Sequence, residues 1–369
     1  MRWFAALLTQ PRRFFMVFVA GELLLAMAIP FMIIEGYHTL LDSRAGKFVE
    51  EPTRLDPGWR ALVDPTEVVG IAEVDRGVVT GVTLLVNQIE VQSAGSAILV
   101  PGTLQVDGLP VSARSNPADA VAAVGQALHL AITRVEVLDT AGWTEVLGAT
   151  EYTLESPDPV LDDAGNQLFA VGPVVVNGSN AAAFAGRPAP GAPTVSVKFR
   201  RQTLWNALVA APPSGSAPIA ADLRALDATA SQVIDLPTEQ IDGVTVLSPA
   251  AAESLIRDVV AYPAGHVPGD RLQVRILDRT GTADLEDIAA AVAAQGIEVI
   301  EIGNAAQFDG GTTEFIAPID LVEQDGSLPP TVVALMQSAG TFAATVDAAS
   351  TDSVVTVVIG QDFDLANLY

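Results

Sequence analysis

The sequence predicts an α/β protein in two parts behind one apolar N-terminal segment, and three observations carry that reading. Runs rich in β-branched residues alternate with segments of helical spacing between Val68 and Leu147. The same alternation returns in a shorter form from Leu272 to Ile359. Between the blocks lies Pro212 to Pro218, rich in Pro, Ser, Gly and Ala, a composition that ends domains.

The elements follow in order. Phe14 to Ile34 is an apolar run broken only by Glu22 and Pro30, long enough to cross a bilayer core as one helix. Arg2, Arg12 and Arg13 precede it with no acidic residue among them, so residues 1–13 are expected in the cytoplasm and the bulk of the chain outside. The run exceeds a typical signal h-region and no small-x-small cleavage pattern follows, so it reads as the uncleaved anchor of a single-pass membrane protein. Glu22 is costly in lipid; it stays protonated, snorkels, or meets a partner on another helix.

Residues 35–66 read as a polar stalk and 67–212 as the first domain. Strands are expected at Val68 to Val74, Gly81 to Ile89 and Ala97 to Val100. A helix follows at Ala118 to Leu128, then a strand at Arg134 to Leu138 and a second amphipathic segment at Ala141 to Leu147. Residues 213–268 read as a connector with one helix, Pro249 to Val260. The last block, 269–369, reads as a compact βαββαβ unit. Its strands are Leu272 to Leu277, Ile297 to Ile302, Glu314 to Ile316 and Val354 to Ile359. Its helices are one capped by Thr282 and stopped at Gly296, and one over Pro330 to Ala339.

Composition excludes several functions. With no cysteine, disulfides and thiolate metal sites are impossible. A formal net charge of −25 argues against nucleic acid, whose phosphates require clustered Lys and Arg. Within that acidic chain, Ala164 to Ala221 holds no Asp or Glu yet carries Arg187, Lys198, Arg200 and Arg201. Such a reversal beside a Gly and Pro loop is where a phosphate or carboxylate could settle; an ordinary solvated helix face is the competing explanation. The Asp162-Asp-Ala-Gly-Asn stretch lacks the alternating carboxylates of a calcium loop and reads as a hairpin turn. His38, His129 and His266 have no ligand spacing, and Trp59, Trp143 and Trp205 are expected at domain surfaces.

The same window resembles a known family. Asp163-Ala-Gly-Asn-Gln-Leu-Phe-Ala-Val-Gly-Pro, Val176-Asn-Gly-Ser-Asn-Ala-Ala-Ala-Phe and Phe199-Arg-Arg-Gln-Thr-Leu-Trp look like the closing half of a LytR-CpsA-Psr domain. The resemblance implies an α/β sandwich enclosing a cavity for a polyprenyl tail. It also implies phosphotransferase chemistry that moves cell-wall glycopolymers from a polyprenyl-pyrophosphate carrier onto peptidoglycan. Val274-Arg-Ile-Leu-Asp-Arg-Thr-Gly-Thr and Val357-Val-Ile-Gly-Gln-Asp-Phe look like the accessory domain that often follows it.

Carried residue by residue, the family pattern is broken where its charges belong. Gly81 stands for a metal-binding aspartate, Gly102 for a pyrophosphate-binding arginine and Thr103 for a second acidic residue. Arg187 replaces a motif arginine one position along, Lys198 and Arg201 fill the basic places of a fourth motif with Gln202, and Asp75-Arg76 aligns with an Asp-x-Arg turn. The anion-binding candidates are therefore Arg76, Arg187, Lys198 and Arg201, with no catalytic residue and no resident cofactor assigned. The leading expectation is a membrane-anchored pseudo-enzyme of the cell envelope that binds a polyprenyl-linked glycopolymer or another lipid, or scaffolds envelope proteins. A divergent transferase using those four cations is the first alternative; it would need Mg²⁺ held by Glu73, Asp75 or Glu90. A structural subunit of a membrane complex is the second.

Overall fold

The longest strands are near-continuous apolar runs, and such strands require cover on both faces. The computed structural model describes residues 52–87, 95–189, 194–226, 231–322, 327–340, 343–347 and 353–368. The apolar segment 14–34, with Glu22, and most of the stalk lie outside the described residues. Among the described residues no helix is long and apolar enough to cross a membrane.

The first block opens with β1 (Arg60–Leu62), β2 (Glu67–Asp75), β3 (Val78–Asn87), β4 (Ser96–Pro101) and the small hairpin β5 (Gln105–Val106) and β6 (Leu109–Pro110). It continues through α1 (Pro117–Ala127), β7 (Arg134–Leu138), α2 (Thr140–Leu147), β8 (Tyr152–Ser156), β9 (Val160–Leu161), β10 (Gln167–Phe169) and β11 (Gly172–Val176). Then come α3 (Ala181–Gly186), α4 (Thr194–Ala210), α5 (Pro218–Ala225), β12 (Gln232–Asp235), β13 (Thr238–Ile241), β14 (Val244–Leu247) and α6 (Pro249–Val259). Caps fix the helix starts: Asn116 accepts a hydrogen bond from the Ala118 amide ahead of Pro117, and Asp139 accepts one from the Gly142 amide.

The central sheet has the order β12-β4-β3-β2-β7. One face, with Val69, Ile71, Leu85 and Leu99, packs under α2, α3, α4 and α5. The other, with Val68, Ala72, Leu84 and Ile98, packs under α1 and α6. The result is a mixed α/β fold of three layers. The stretch expected to be a connector supplies working parts of this domain, because β12 pairs parallel with β4 and presents Val233 to one core and Ile234 to the other. Trp143 and Trp205, expected at domain surfaces, are fully buried and meet edge-on at 6.1 Å. Their bulk fills the space between α2 and α4, and the Trp205 N–H finds a buried carboxylate there.

The second block runs β15 (Gln273–Asp278), α7 (Leu285–Ala293), β16 (Glu298–Asn304), β17 (Glu314–Pro318), α8 (Pro330–Ala339), β18 (Ala343–Asp347) and β19 (Val354–Ile359). Its sheet order is β1-β16-β15-β19-β17-β18. Two strands exceed the expected βαββαβ unit. β18 adds one edge, pairing parallel with β17, and β1 closes the other, pairing antiparallel with β16 from a position ahead of the first domain. The cap of α7 is Asp284, which accepts from the Asp287 amide, whereas the Thr282 hydroxyl lies 3.0 Å from that of Thr280.

A buried arginine bridges the two blocks. The buried Arg271 guanidinium donates to the carbonyls of Leu128 and His129 beyond the end of α1, to the Gly296 carbonyl beyond α7, and to Glu253 on α6. A cation at two helix C-termini satisfies orphan carbonyls and favours both helix dipoles.

Candidate functional site

The site lies at the β2–β3 end of the central sheet, where β2 carries two carboxylates through an apolar run. Glu73 and Asp75 are 1% and 7% exposed, so each needs a hydrogen-bonded partner in place. Both find arginines.

Arg201, on α4, points into the sheet and donates to both Glu73 oxygens from Nε at 3.0 Å and to Oε1 from Nη2 at 2.8 Å. Its other donors reach the carbonyls of Val100 at 2.7 Å and Val82 at 2.6 Å, and the Thr83 hydroxyl at 3.0 Å. Glu73 Oε1 also accepts from the Thr83 hydroxyl and the Trp205 indole N–H. This pair is buried and closed: both partners are bonded on every side, the condition under which a buried ion pair can be tolerated.

The position of Arg201 decides what can stand at residue 81. A β-carbon on Gly81 would come 2.7 Å from Arg201 Cζ and 2.8 Å from Nη1. At Gly102 it would come 2.5 Å from the Thr80 carbonyl oxygen, a backbone atom, and at Gly186 2.6 Å from the Thr80 side chain. Thr80 is the extra residue of a β-bulge, since Glu73 pairs with Gly81 and Val74 with Val79. The chain thus packs its own backbone and a guanidinium through positions 81 and 102, where the family pattern places charged side chains.

Asp75 is held differently. Arg187, just past α3, grips it bidentately, Nε to Oδ2 at 2.9 Å and Nη2 to Oδ1 at 2.8 Å, and Arg76 Nε reaches Oδ2 at 3.1 Å. Burial pushes the Asp75 carboxyl upward, but hydrogen bonds and charge from Arg187 and then Arg76 outweigh it and hold the group below the usual carboxylate range. Arg76 also pairs with the exposed Asp163 at the β9–β10 turn, where Asp162 accepts from the Ala164 and Asn166 amides as the expected hairpin turn requires.

Of the four cations expected to bind an anion, Arg76 and Arg187 therefore meet at Asp75, Arg201 is enclosed with Glu73, and Lys198 is elsewhere, 3.1 Å from Asp235 on β12. Arg200 lies in the same basic run but is not among the anion-binding candidates. Fully buried, it donates to the carbonyls of Phe184 and Arg187 and to Asp158, anchoring the backbone that carries Arg187. Burial lowers the Arg200 pKa, and Asp158 counters that shift. The available signal was a pair of carboxylates in a buried strand, which must be matched by buried cations.

A divalent cation does not fit this centre. The Glu73 carboxylate is taken by Arg201, Thr83 and Trp205, Asp75 by two guanidinium groups, and the space beside Gly81 is filled by positive charge. Among the described residues no three His, Asp or Glu side chains come together as a metal-ion site, and Glu90 lies outside them.

Residues 271–363 match the model of the family described as LytR cell envelope-related transcriptional attenuator. The chain carries a LytR-type C-terminal domain. That domain spans β15 to β19 and is the one joined to α1 by Arg271. Solved structures similar to the chain include a LytR-Csp2A-Psr enzyme from Actinomyces oris. It is 18% identical, with 58% of this chain and 99% of that chain covered, at a TM-score of 0.40. TagV from B. subtilis is 12% identical, with 53% and 96% covered, at 0.40. The family protein YwtF (TagT), with bound octaprenyl pyrophosphate lipid, is 13% identical, with 53% and 89% covered, at 0.39. No curated protein matches the chain.

Proposed function

We propose that this chain is a membrane-anchored, extracytoplasmic cell-envelope protein of LytR-CpsA-Psr type. In it a buried ion pair has replaced the phosphotransferase centre, and the protein binds a polyprenyl-linked glycopolymer without transferring it. The observation that carries the proposal is Arg201, locked onto Glu73 in the space a side chain at residue 81 would need. Phosphoryl transfer requires charge to be neutralised at the transferring group and its leaving group. Here the two innermost charges neutralise each other. The LytR-type domain at 271–363 and the motif resemblance between Thr80 and Trp205 support the envelope setting. The anchor at 14–34 rests on hydropathy and the positive-inside bias.

The test is a wall-polymer transfer assay with the full chain in detergent, a polyprenyl-pyrophosphate-linked polymer and Mg²⁺. Retention of the lipid-linked polymer with no transferred product is expected. Metal-dependent turnover would overturn the proposal.

A further inference from the structure

Titratable side chains gather where the two blocks meet. Of the three histidines in the chain, His38 lies outside the described residues, and the two described ones, His129 and His266, both stand at this joint. His129 follows Leu128, the C-cap of α1, with φ 49°, a left-handed position that usually goes to Gly or Asn. Its amide donates to the Gln126 carbonyl and closes the helix, while its own carbonyl accepts from Arg271. The imidazole Nδ1 lies 3.6 Å from Asp270 Oδ1, and the other oxygen of Asp270 accepts from the Val267 amide at 3.0 Å. The pair therefore crosses from the end of α1 in the first block to the residue ahead of Arg271 in the second.

We infer that His129 and Asp270 form a pH-sensitive latch between the two blocks, made when the imidazole is protonated and released when it is neutral. Histidine is the side chain that ordinarily changes charge between about pH 5 and 8. Its cation gains twice here: it faces a carboxylate, and it sits at the C-terminal end of α1, where the helix dipole favours positive charge. The other charged groups around the joint are Arg271, which donates to the His129 carbonyl and to Glu253 on α6, Glu298 on β16, which accepts from the Gly265 amide, and Arg257 on α6, beside Gly296. Three carboxylates stand against two guanidinium groups, so one more positive charge is accommodated. His266 packs on the same helix, its Nδ1 3.3 Å from where a β-carbon on Gly125 would sit, and it is the other imidazole at the joint. Asp270 has a cationic imidazole facing it only on the acid side, so closure is strongest below about pH 6 and weakens as pH rises toward 8. With the His129 side chain 63% exposed, solvent screens the pair and the latch is a modest one. It adjusts a joint that Arg271 holds throughout, because a guanidinium keeps its charge over that range.

The experiment is hydrogen exchange of the full chain in detergent between about pH 5.5 and 8, corrected for the chemical exchange rate. It is read at Leu128 to Ile132, where the Ala131 amide bonds the Ala264 carbonyl at 2.9 Å, and it compares the natural sequence with His129→Asn, Asp270→Asn and His266→Gln. In the natural sequence protection should fall about two- to fivefold as pH rises, the size of one exposed ion pair. His129→Asn, whose new side chain tolerates the left-handed backbone, and Asp270→Asn should each flatten that response, and His266→Gln should leave it in place. Protection that does not change with pH in the natural sequence overturns the latch. So does a response that persists in His129→Asn, or one that only His266→Gln removes. A change shared equally by β3 is a loss of global stability and overturns it as well. Asp270→Asn decides the question if His129→Asn fails to fold, since the asparagine carbonyl can still accept from the Val267 amide.

Discussion

The Arg201 guanidinium stands 2.7 Å from the point where a β-carbon on Gly81 would sit, and the two residues specify each other. Gly81 faces Glu73 across the β2–β3 pair, and Arg201 comes from α4 to bond that carboxylate. A glycine in a buried strand normally weakens it, yet here it admits a side chain from another layer. A sheet position that would carry a charge in the LytR-CpsA-Psr pattern has become a socket for one.

Gly81→Ala should therefore destabilise the protein by about 1–3 kcal/mol, the range for overpacking a filled core. Gly81→Ala combined with Arg201→Met should cost less than the two single changes added together, because the clash is shared. Denaturant unfolding monitored by tryptophan fluorescence reads both, since Trp205 bonds the same carboxylate.

Glu73→Gln should cost about 3–5 kcal/mol, because it leaves a guanidinium buried without its counter-charge. Lys198→Ala removes an exposed pair with Asp235 and should cost less than about 1 kcal/mol. The two substitutions separate an enclosed cation from a solvated one, although both cations come from the same short basic run. Unfolding midpoints at neutral pH measure the contrast.

That contrast also marks how far the sequence could be read. β2, β3 and β4 are legible because strands buried on both faces leave dense apolar, β-branched runs, and β7, a half-exposed edge strand, has the expected bounds Arg134–Leu138. β12 was not, since four residues of mixed polarity, Gln232 to Asp235, show no period until β4 supplies a neighbour. β1 was hidden for the same reason, being three residues long and completed by β16, some 240 positions away. At the site, the basic run and the missing charges at 81 and 102 were visible. Its pairing was not: Arg200 and Arg201 are adjacent in sequence, yet one bonds Asp158 and the carbonyls of Phe184 and Arg187 at the C-terminal end of α3 while the other bonds Glu73 in the sheet. Periodicity says which face a residue is on, but not which distant carboxylate meets it.

Arg271→Met should loosen the contact between the first domain and the LytR-type domain. The substitution retains the aliphatic stem and deletes the donors that hold Leu128, His129 and Gly296. Those carbonyls lose their partner, at about 1–3 kcal/mol for a buried polar group left unsatisfied. Hydrogen exchange should quicken at the C-terminal turns of α1 and α7 before it does in β2 and β3. Uniform acceleration over the whole chain would instead mean that the arginine supports global stability alone.

The Asp75 carboxyl gives a signed dependence on pH. Its folded-state pKa lies below the ordinary value of 3.8 because Arg187 and Arg76 outweigh burial. A depressed carboxylate pKa contributes stability that is fully present above the unfolded value and is lost as pH falls through the folded one. The Asp75→Asn variant should therefore be less stable than the natural sequence at pH 6 to 7, by an amount that stays constant down to about pH 5. Below about pH 4 the difference should shrink, because only the natural protein still has a proton to take up at this position. Parallel urea titrations across that range measure it. A gap that widened on acidification would mean that the Asp75 carboxyl is raised by its burial, and that the two arginines do not govern it.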